Sequence, residues 1–339
     1  MNKKLLATIG PSSLNKEVIQ LMELNGVNLL RINLSHTKIN DLKNIIESIK
    51  LWSSVPICLD SEGAQIRNQD MINESVVFTK GDHVNIHKSN TIGDSENISF
   101  TPSNVYQQLD VGDLIYVDFN SVELRVIRKE NNCLVAEVVS GGTVGSNKAV
   151  NVNKEVDLDP VTEKDIQAFN IGKKMGILNY SLSFTNSADD VKLVRKIIGK
   201  EANLISKIES IKGVLNLDQI LPLVDQILID RGDLSREVVI EKIPFIQRRI
   251  ISNARSKHVP VFVATNLLES MIKSASPTRA EANDVASTLL MGASGLVLAA
   301  ETAIGDYPVG AVEMINLIIK QYNRWTTESS FNDIIFQDD

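Results

Sequence analysis

Short apolar runs alternate with segments whose apolar positions recur every three or four residues, and this rhythm organises both ends of the chain. The run Lys4 to Ile9 is stopped by Gly10-Pro11. Val18, Ile19, Met22 and Leu24 follow at helical spacing, behind a candidate cap at Ser12-Ser13 and up to Asn25-Gly26. Residues 27–35 read as a second strand, with Arg31, Asn33 and Ser35 alternating along one face. A helix over about 39–52 places Leu42, Ile45, Ile46 and Ile49 on one side, and residues 55–60 form a third strand. This β-α-β-α-β order predicts a parallel sheet.

From about residue 69 to 156 the rhythm changes. Short strand-like runs at 75–78, 83–87, 114–117, 122–127 and 134–139 are separated by turns such as Lys80-Gly81-Asp82, Gly112-Asp113 and Gly141-Gly142. That pattern predicts a small antiparallel barrel inserted into the α/β chain. Alternation then resumes. Helices at 162–173, 187–199, 211–220, 244–257 and 281–291 precede strands at 176–184, 202–209, 226–232, 259–265 and 295–301, and a last helix runs over 308–324. With the three earlier strands this makes eight strand–helix units, the count of a (β/α)8 TIM barrel. A dinucleotide-binding doubly wound sheet would want a Gly-rich turn after the first strand, and Thr8 to Ser13 is not one. The expected division is a barrel domain from 1–68 and 157–325, an all-β lid domain from 69–156, and a polar tail from 326–339.

Composition narrows the classes. The chain has 339 residues, 43% hydrophobic and 23% charged, and a net charge of -7. With no sustained basic block, nucleic acid is not an expected partner. No apolar run is long enough for a membrane span, and the start does not read as a signal peptide, so a cytoplasmic protein is expected. Cys58 and Cys133 have no metal-ligand spacing and read as reduced thiols.

In such a barrel the active site lies at the C-terminal ends of the strands. The polar residues expected there are Arg31, Asn33, Ser35, Asp60, Ser61, Ser183, Lys207, Glu209, Asp233, Thr265 and Glu301. Lys207 and Glu209 stand two apart and so project the same way from one strand. A lysine and a carboxylate at an apolar strand end are costly unless paired or bound to a charged ligand. Glu209 and Asp233 suit Mg²⁺ or Mn²⁺, which take one or two protein carboxylates. Lys207 suits charge neutralisation on a transferring phosphoryl group. Asn33, Ser35 and Asp60 are hard oxygen donors for a monovalent cation. A simple Lys207–Glu209 ion pair and a polar core network are the structural alternatives.

The motifs together resemble those of pyruvate kinase. They are Thr8 to Ser13, Arg31 to His36, Leu59 to Gly63, Val144 to Asn151, Thr162 to Asp165, Ser206 to Glu209, Arg231 to Leu234, Ala264 to Ile272, Pro277 to Glu281 and Glu301 to Pro308. The resemblance implies phosphoryl transfer from phosphoenolpyruvate to ADP, giving pyruvate and ATP. It implies that Lys207 stabilises the phosphoryl group in flight and the enolate oxygen, and that Glu209 and Asp233 hold the divalent ion. The amides of Gly232 and Asp233, with Thr265 and Ser183, would bind the substrate, and Thr265 would sit near the proton path. Asn33, Ser35, Asp60 and Ser61 would hold K⁺. Arg31 and Arg67 would meet phosphates, and Lys148, Pro11 and His36 would face the nucleotide.

The departures from the family pattern are as informative. Glu62 stands where Lys is usual, which reverses a charge worth about a few kcal/mol if uncompensated. Ala64 and Gln65 replace Pro and Glu, and the charge lost at Gln65 leaves K⁺ dependence open. Phe119-Asn120, Asn186 and Asn266 replace Asp-Gly, Arg and Gln. The chain stops where the family continues into a C-terminal domain, so effector control through that domain is not expected, and the assembly is left open, with a homodimer through the barrel as one alternative to the family's usual tetramer. A changed substrate or phosphoryl acceptor, and a non-catalytic homologue, remain as alternatives to an unregulated pyruvate kinase.

Overall fold

The computed structural model describes residues 3–118 and 121–336, so the Phe119-Asn120 departure lies outside the described residues. The chain divides into two compact units, one of residues 1–63 and 163–339 and the other of 64–162.

The larger unit is a closed barrel of eight parallel strands. They are β1 (Lys4–Ile9), β2 (Leu29–Asn33), β3 (Ile57–Asp60), β4 (Asn179–Leu182), β5 (Asn203–Ile208), β6 (Gln226–Asp230), β7 (Val261–Ala264) and β8 (Gly295–Leu298). Each strand pairs with its neighbours in sequence, and β1 closes on β8 with Leu5 beside Leu296 and Ala7 beside Leu298. Strands covered on both faces read as continuous apolar runs, as Ile227, Leu228 and Ile229 do. Leu6, Leu29, Cys58, Ile205, Leu228, Phe262, Ala264 and Val297 form a buried cluster contributed by seven of the strands.

The helices follow from their spacing and caps. Helix Ile39–Trp52 buries Leu42, Ile46 and Ile49. Helix Lys16–Leu24 is capped by Asn15, whose side chain accepts from the Val18 amide, and not by Ser12-Ser13 as expected. Ser187 with Asp190, and Thr278 with Glu281, close reciprocal capping boxes that start helices Ala188–Ile198 and Arg279–Leu290. The expected helix over 211–220 is broken at Asn216 into Ile211–Leu215 and Leu217–Ile220. The expected final helix is found at Pro308–Arg324, and a short helix Phe331–Phe336 lies within the stretch read as a tail. No helix among the described residues is long and apolar enough to cross a membrane.

The smaller unit is a second closed barrel, of seven strands, with a separate two-stranded sheet. Alternation places Val84 and Ile86, Ile115 and Val117, and Val122, Leu124 and Val126 inside. Strands Ile66–Asn68, Asn97–Thr101, Gly142–Gly145 and Ala149–Val152 add to those expected. The barrel is not wholly antiparallel, because His83–His87 and Asn97–Thr101 pair in parallel.

Candidate active site

At the C-terminal ends of the large barrel, several strands stop earlier than their apolar runs suggest, and their polar ends curl into short helices. Strand β2 ends at Asn33, whose Oδ1 accepts from the Ser35 amide at 3.0 Å and starts the turn Leu34–His36. Ser35 is therefore in a 3-10 turn, not on the strand face where it was expected. Strand β6 ends at Asp230, and Arg231, Gly232 and Asp233 form a helical turn ending at Leu234. Asp230 Oδ1 accepts from Gly232 N at 3.2 Å and Asp233 N at 3.4 Å, and the Thr265 hydroxyl donates to it at 2.5 Å. A Cβ on Gly232 would lie 2.7 Å from Thr265 Cγ2, so this turn can approach β7 only with glycine there. Phe184 and Thr265, beyond β4 and β7, have φ of 49° and 75°. Such left-handed non-glycine residues concentrate at functional sites.

Lys207, Asp60, Glu209 and Arg31 form a buried charged core. Lys207 Nζ donates to Ser183 Oγ at 2.9 Å and lies 2.9 Å from Glu209 Oε1 and 3.4 Å from Asp60 Oδ2. Arg31 holds the same Asp60 oxygen through Nε at 2.7 Å and Nη2 at 2.5 Å, and its Nη1 donates to Thr8 Oγ1 at 3.0 Å. Burial opposes ionisation of Asp60, but the Arg31 and Lys207 charges outweigh it and hold the carboxyl below its ordinary value. Burial likewise opposes the Lys207 charge, and the Asp60 and Glu209 carboxylates reverse that and raise it. Asp60 Oδ1 is buried with no hydrogen-bond partner among the described residues.

Glu209 sits one residue past β5, with Oε2 accepting from the Phe184 amide at 2.6 Å. Carboxylate oxygens of Glu209, Asp230 and Asp233 all lie within 4.8 Å of one another. Burial, with Asp233 and Asp230 beside it, pushes the Glu209 carboxyl up to about 8 against the pull of Lys207. Burial and Asp230 also raise Asp233, while Arg236 Nη2 lies 2.8 Å from Asp233 Oδ1. Hard carboxylate oxygens crowded in this way are the donor set Mg²⁺ or Mn²⁺ takes, so these residues fit a divalent ion. Asp230 was not among the expected ligands. Its signal was its place as the first residue of the Asp230-Arg231-Gly232-Asp233 unit. The companion Arg231 turns away, to Asp284 at 2.6 Å and the Thr265 carbonyl at 2.6 Å.

Glu62 is compensated. Its Oε1 lies 2.7 Å from Lys164 Nζ, which also donates to the Leu34 carbonyl at 2.6 Å. The buried Asp165 carboxylate accepts from the amides of Glu62 at 2.7 Å and Gly63 at 3.2 Å. Ser183 donates twice to Ser61, from its amide to Ser61 Oγ at 2.9 Å and from its Oγ to the Ser61 carbonyl at 2.7 Å. Asn186 is also absorbed locally, its Oδ1 accepting from Ser210 Oγ and its carbonyl from Asn216. Glu301 follows the C-terminal end of β8, where it was expected. It lies in the short helix Ala300–Ala303 and braces the Leu268 and Ala299 amides. Pro11 and His36 are exposed in the larger unit. Arg67 and Lys148 belong to the smaller one, where Arg67 donates to the Asn147 carbonyl at 2.6 Å and Lys148 lies 3.6 Å from Asp118.

A family model described as the barrel domain of pyruvate kinase matches residues 1–312. The chain is 33% identical to a pyruvate kinase of Mycobacterium tuberculosis over 325 residues, covering 93% of this chain and 69% of that protein. It is 34% identical to one of Clostridium perfringens, over 94% of this chain and 69% of the relative. A Bacillus licheniformis pyruvate kinase is 35% identical over 93% of this chain, which spans 56% of that longer protein.

Proposed function

Because the chain belongs to the pyruvate kinase family, we propose that it transfers the phosphoryl group of phosphoenolpyruvate to ADP, giving pyruvate and ATP. The observation that carries this reading is the buried Lys207 ammonium, held by Ser183, Asp60 and Glu209 beside a carboxylate cluster. In water-poor surroundings such a fixed cation is worth far more than in solution, and phosphoryl transfer needs mainly positioning and charge. Lys207 neutralises charge on the phosphoryl group and then on the enolate oxygen. Arg31, fixed by Asp60 and Thr8, supplies a second buried cation for phosphate oxygens.

Thr265 is hydrogen-bonded to Asp230 through its hydroxyl. A hydroxyl coupled to a carboxylate suits delivery of a proton to the enolate carbon, which completes pyruvate. Glu209 and Asp233, joined by Asp230, would hold Mg²⁺ or Mn²⁺, which supplies charge neutralisation at substrate oxygens when bound. The Asp233 and Gly232 amides are assigned to the substrate carboxylate, in exchange for their long contacts to Asp230. Asn33, Ser35, Asp60 and Ser61 are assigned to K⁺, where the unpartnered Asp60 Oδ1 is an oxygen a cation would satisfy. Pro11 and His36 of the larger unit are assigned to the nucleotide. The reading places the protein in glycolysis, in the cytoplasm.

A lactate dehydrogenase-coupled assay with phosphoenolpyruvate, ADP and Mg²⁺ tests the proposal. The wild-type protein should turn over, and Lys207→Ala should lose at least about 10²-fold to 10³-fold. No pyruvate above the Lys207→Ala background with Mg²⁺ or Mn²⁺, and with or without K⁺, would overturn it.

A further inference from the structure

The carboxylate cluster carries a cation on each side. Lys207 faces Glu209 from within the barrel, at 2.9 Å. On the other side Arg236 Nη2 lies 2.8 Å from Asp233 Oδ1, with the two side chains only 16% and 22% exposed. Arg236 stands three residues after Asp233, in the turn that follows the helix Arg231–Leu234, and its amide donates to the Asp233 carbonyl at 3.1 Å. Lys207 has an assigned part in the reaction, and Arg236 does not. We propose that Arg236 is a built-in counter-ion of the divalent-metal site, which holds Asp233 in the metal-free protein and lowers the site's affinity for the incoming ion. This rests on the assignment of Glu209 and Asp233 to the metal.

Arg236 acts through repulsion of like charge. A guanidinium in contact with a ligand carboxylate neutralises part of the charge that would attract a divalent ion, and it repels that ion in a partly buried setting where screening is weak. It also fixes the Asp233 side chain, which by itself would favour binding. These effects have opposite signs. At a side chain this little exposed the charge term is the larger, because it acts on both charges of the ion, whereas Asp233 is already constrained by its own helical turn. Arg236 acts through Asp233 and is a positioning residue, so it makes the site exchangeable instead of permanently filled.

Mn²⁺ binding to the full chain without substrates, read from the free-ion signal in electron paramagnetic resonance, tests this independently of turnover. Arg236→Gln should bind Mn²⁺ about tenfold more tightly than wild type, and Arg236→Lys, which keeps the charge, should stay within about twofold. Arg236→Met is a second neutral variant, and whichever of the two neutral variants folds must move in the same direction. Unchanged or weaker binding in a folded neutral variant, or equal tightening in Arg236→Lys, would overturn the proposal. Glu209→Gln separates the two readings. If wild-type binding is absent, or survives Glu209→Gln undiminished, the metal assignment itself fails. If it is lost there but not tightened by neutralising Arg236, only the counter-ion inference fails.

Discussion

Glu62, read from the sequence as a departure from the resembled family pattern, is paired with Lys164, and the pairing predicts that its charge bears on stability and not on the reaction. The Oε1–Nζ separation is 2.7 Å, with 23% of the Glu62 side chain and 30% of the Lys164 side chain exposed. Two unit charges in contact are worth about 4 kcal/mol at the effective dielectric of a protein surface and about 1 kcal/mol in bulk water. A pair about three-quarters buried lies between these values. Ordering two long side chains and residual screening remove part of it, leaving a coupling of about 1 kcal/mol. A cycle of Glu62→Gln, Lys164→Gln and the double variant, followed by urea unfolding, should return that coupling. Glu62→Lys should cost more than Glu62→Gln, about 2 kcal/mol in all, because attraction becomes repulsion beside the same ammonium. A coupling below about 0.3 kcal/mol, or a Glu62→Lys protein as stable as Glu62→Gln, would refute the reasoning.

Other expectations follow from the same geometry. Gly63 has φ of 73°, and a Cβ there would lie 2.6 Å from the Ser183 carbonyl, so Gly63→Ala should destabilise the fold by about 2 kcal/mol or more in urea unfolding. It should also lower turnover, because Ser183 holds Lys207. Glu209 and Asp233 are both raised, by burial first, with Glu209 at about 8. In the metal-free protein their protons therefore stabilise the fold fully below the ordinary carboxyl range, and that stability is lost as pH rises toward about 8. A divalent ion displaces those protons, so the rise in Tm given by saturating MgCl₂ should grow from about pH 6 to about pH 8. A shift independent of pH, measured by differential scanning fluorimetry, would contradict the raised carboxyls.

The barrel was legible because its signal runs along one dimension. Apolar runs such as Ile227 to Ile229 and helical spacings such as Leu42, Ile46 and Ile49 are visible without knowing any partner. The strand ends were less legible. Asn33 and Asp230 each use a side-chain oxygen to start a turn, so Ser35 and Asp233 leave the strands their pattern suggests. Glu62 and Lys164 are 102 residues apart, and no local spacing announces that pair or the Asp165 carboxylate beneath the same loop. Arg236 is not marked out by the sequence although it lies three residues from Asp233, because an arginine in a polar stretch reads as a solvated residue until its burial is known. In the smaller barrel, a strand of three residues such as Ile66–Asn68 is too short to alternate visibly.

The charges of the large barrel's site explain why its pieces occur together. Asp60, Glu209, Asp230 and Asp233 would be an unstable group on their own, since burial without partners is costly for each. Arg31 and Lys207 hold Asp60, Lys207 also meets Glu209, and Arg236 meets Asp233. Asp230 is spent on the Gly232 and Asp233 amides and the Thr265 hydroxyl. Ionised, the four carboxylates outnumber the three cations, and burial first, then the neighbouring carboxylates, raises the Glu209 and Asp233 carboxyls. A divalent ion would turn the deficit into an excess of positive charge, the condition in which an anionic phosphate ester is drawn in and charge developing on it is stabilised. Because Lys207 meets both Asp60 and Glu209, removing it should harm the fold as well as the chemistry.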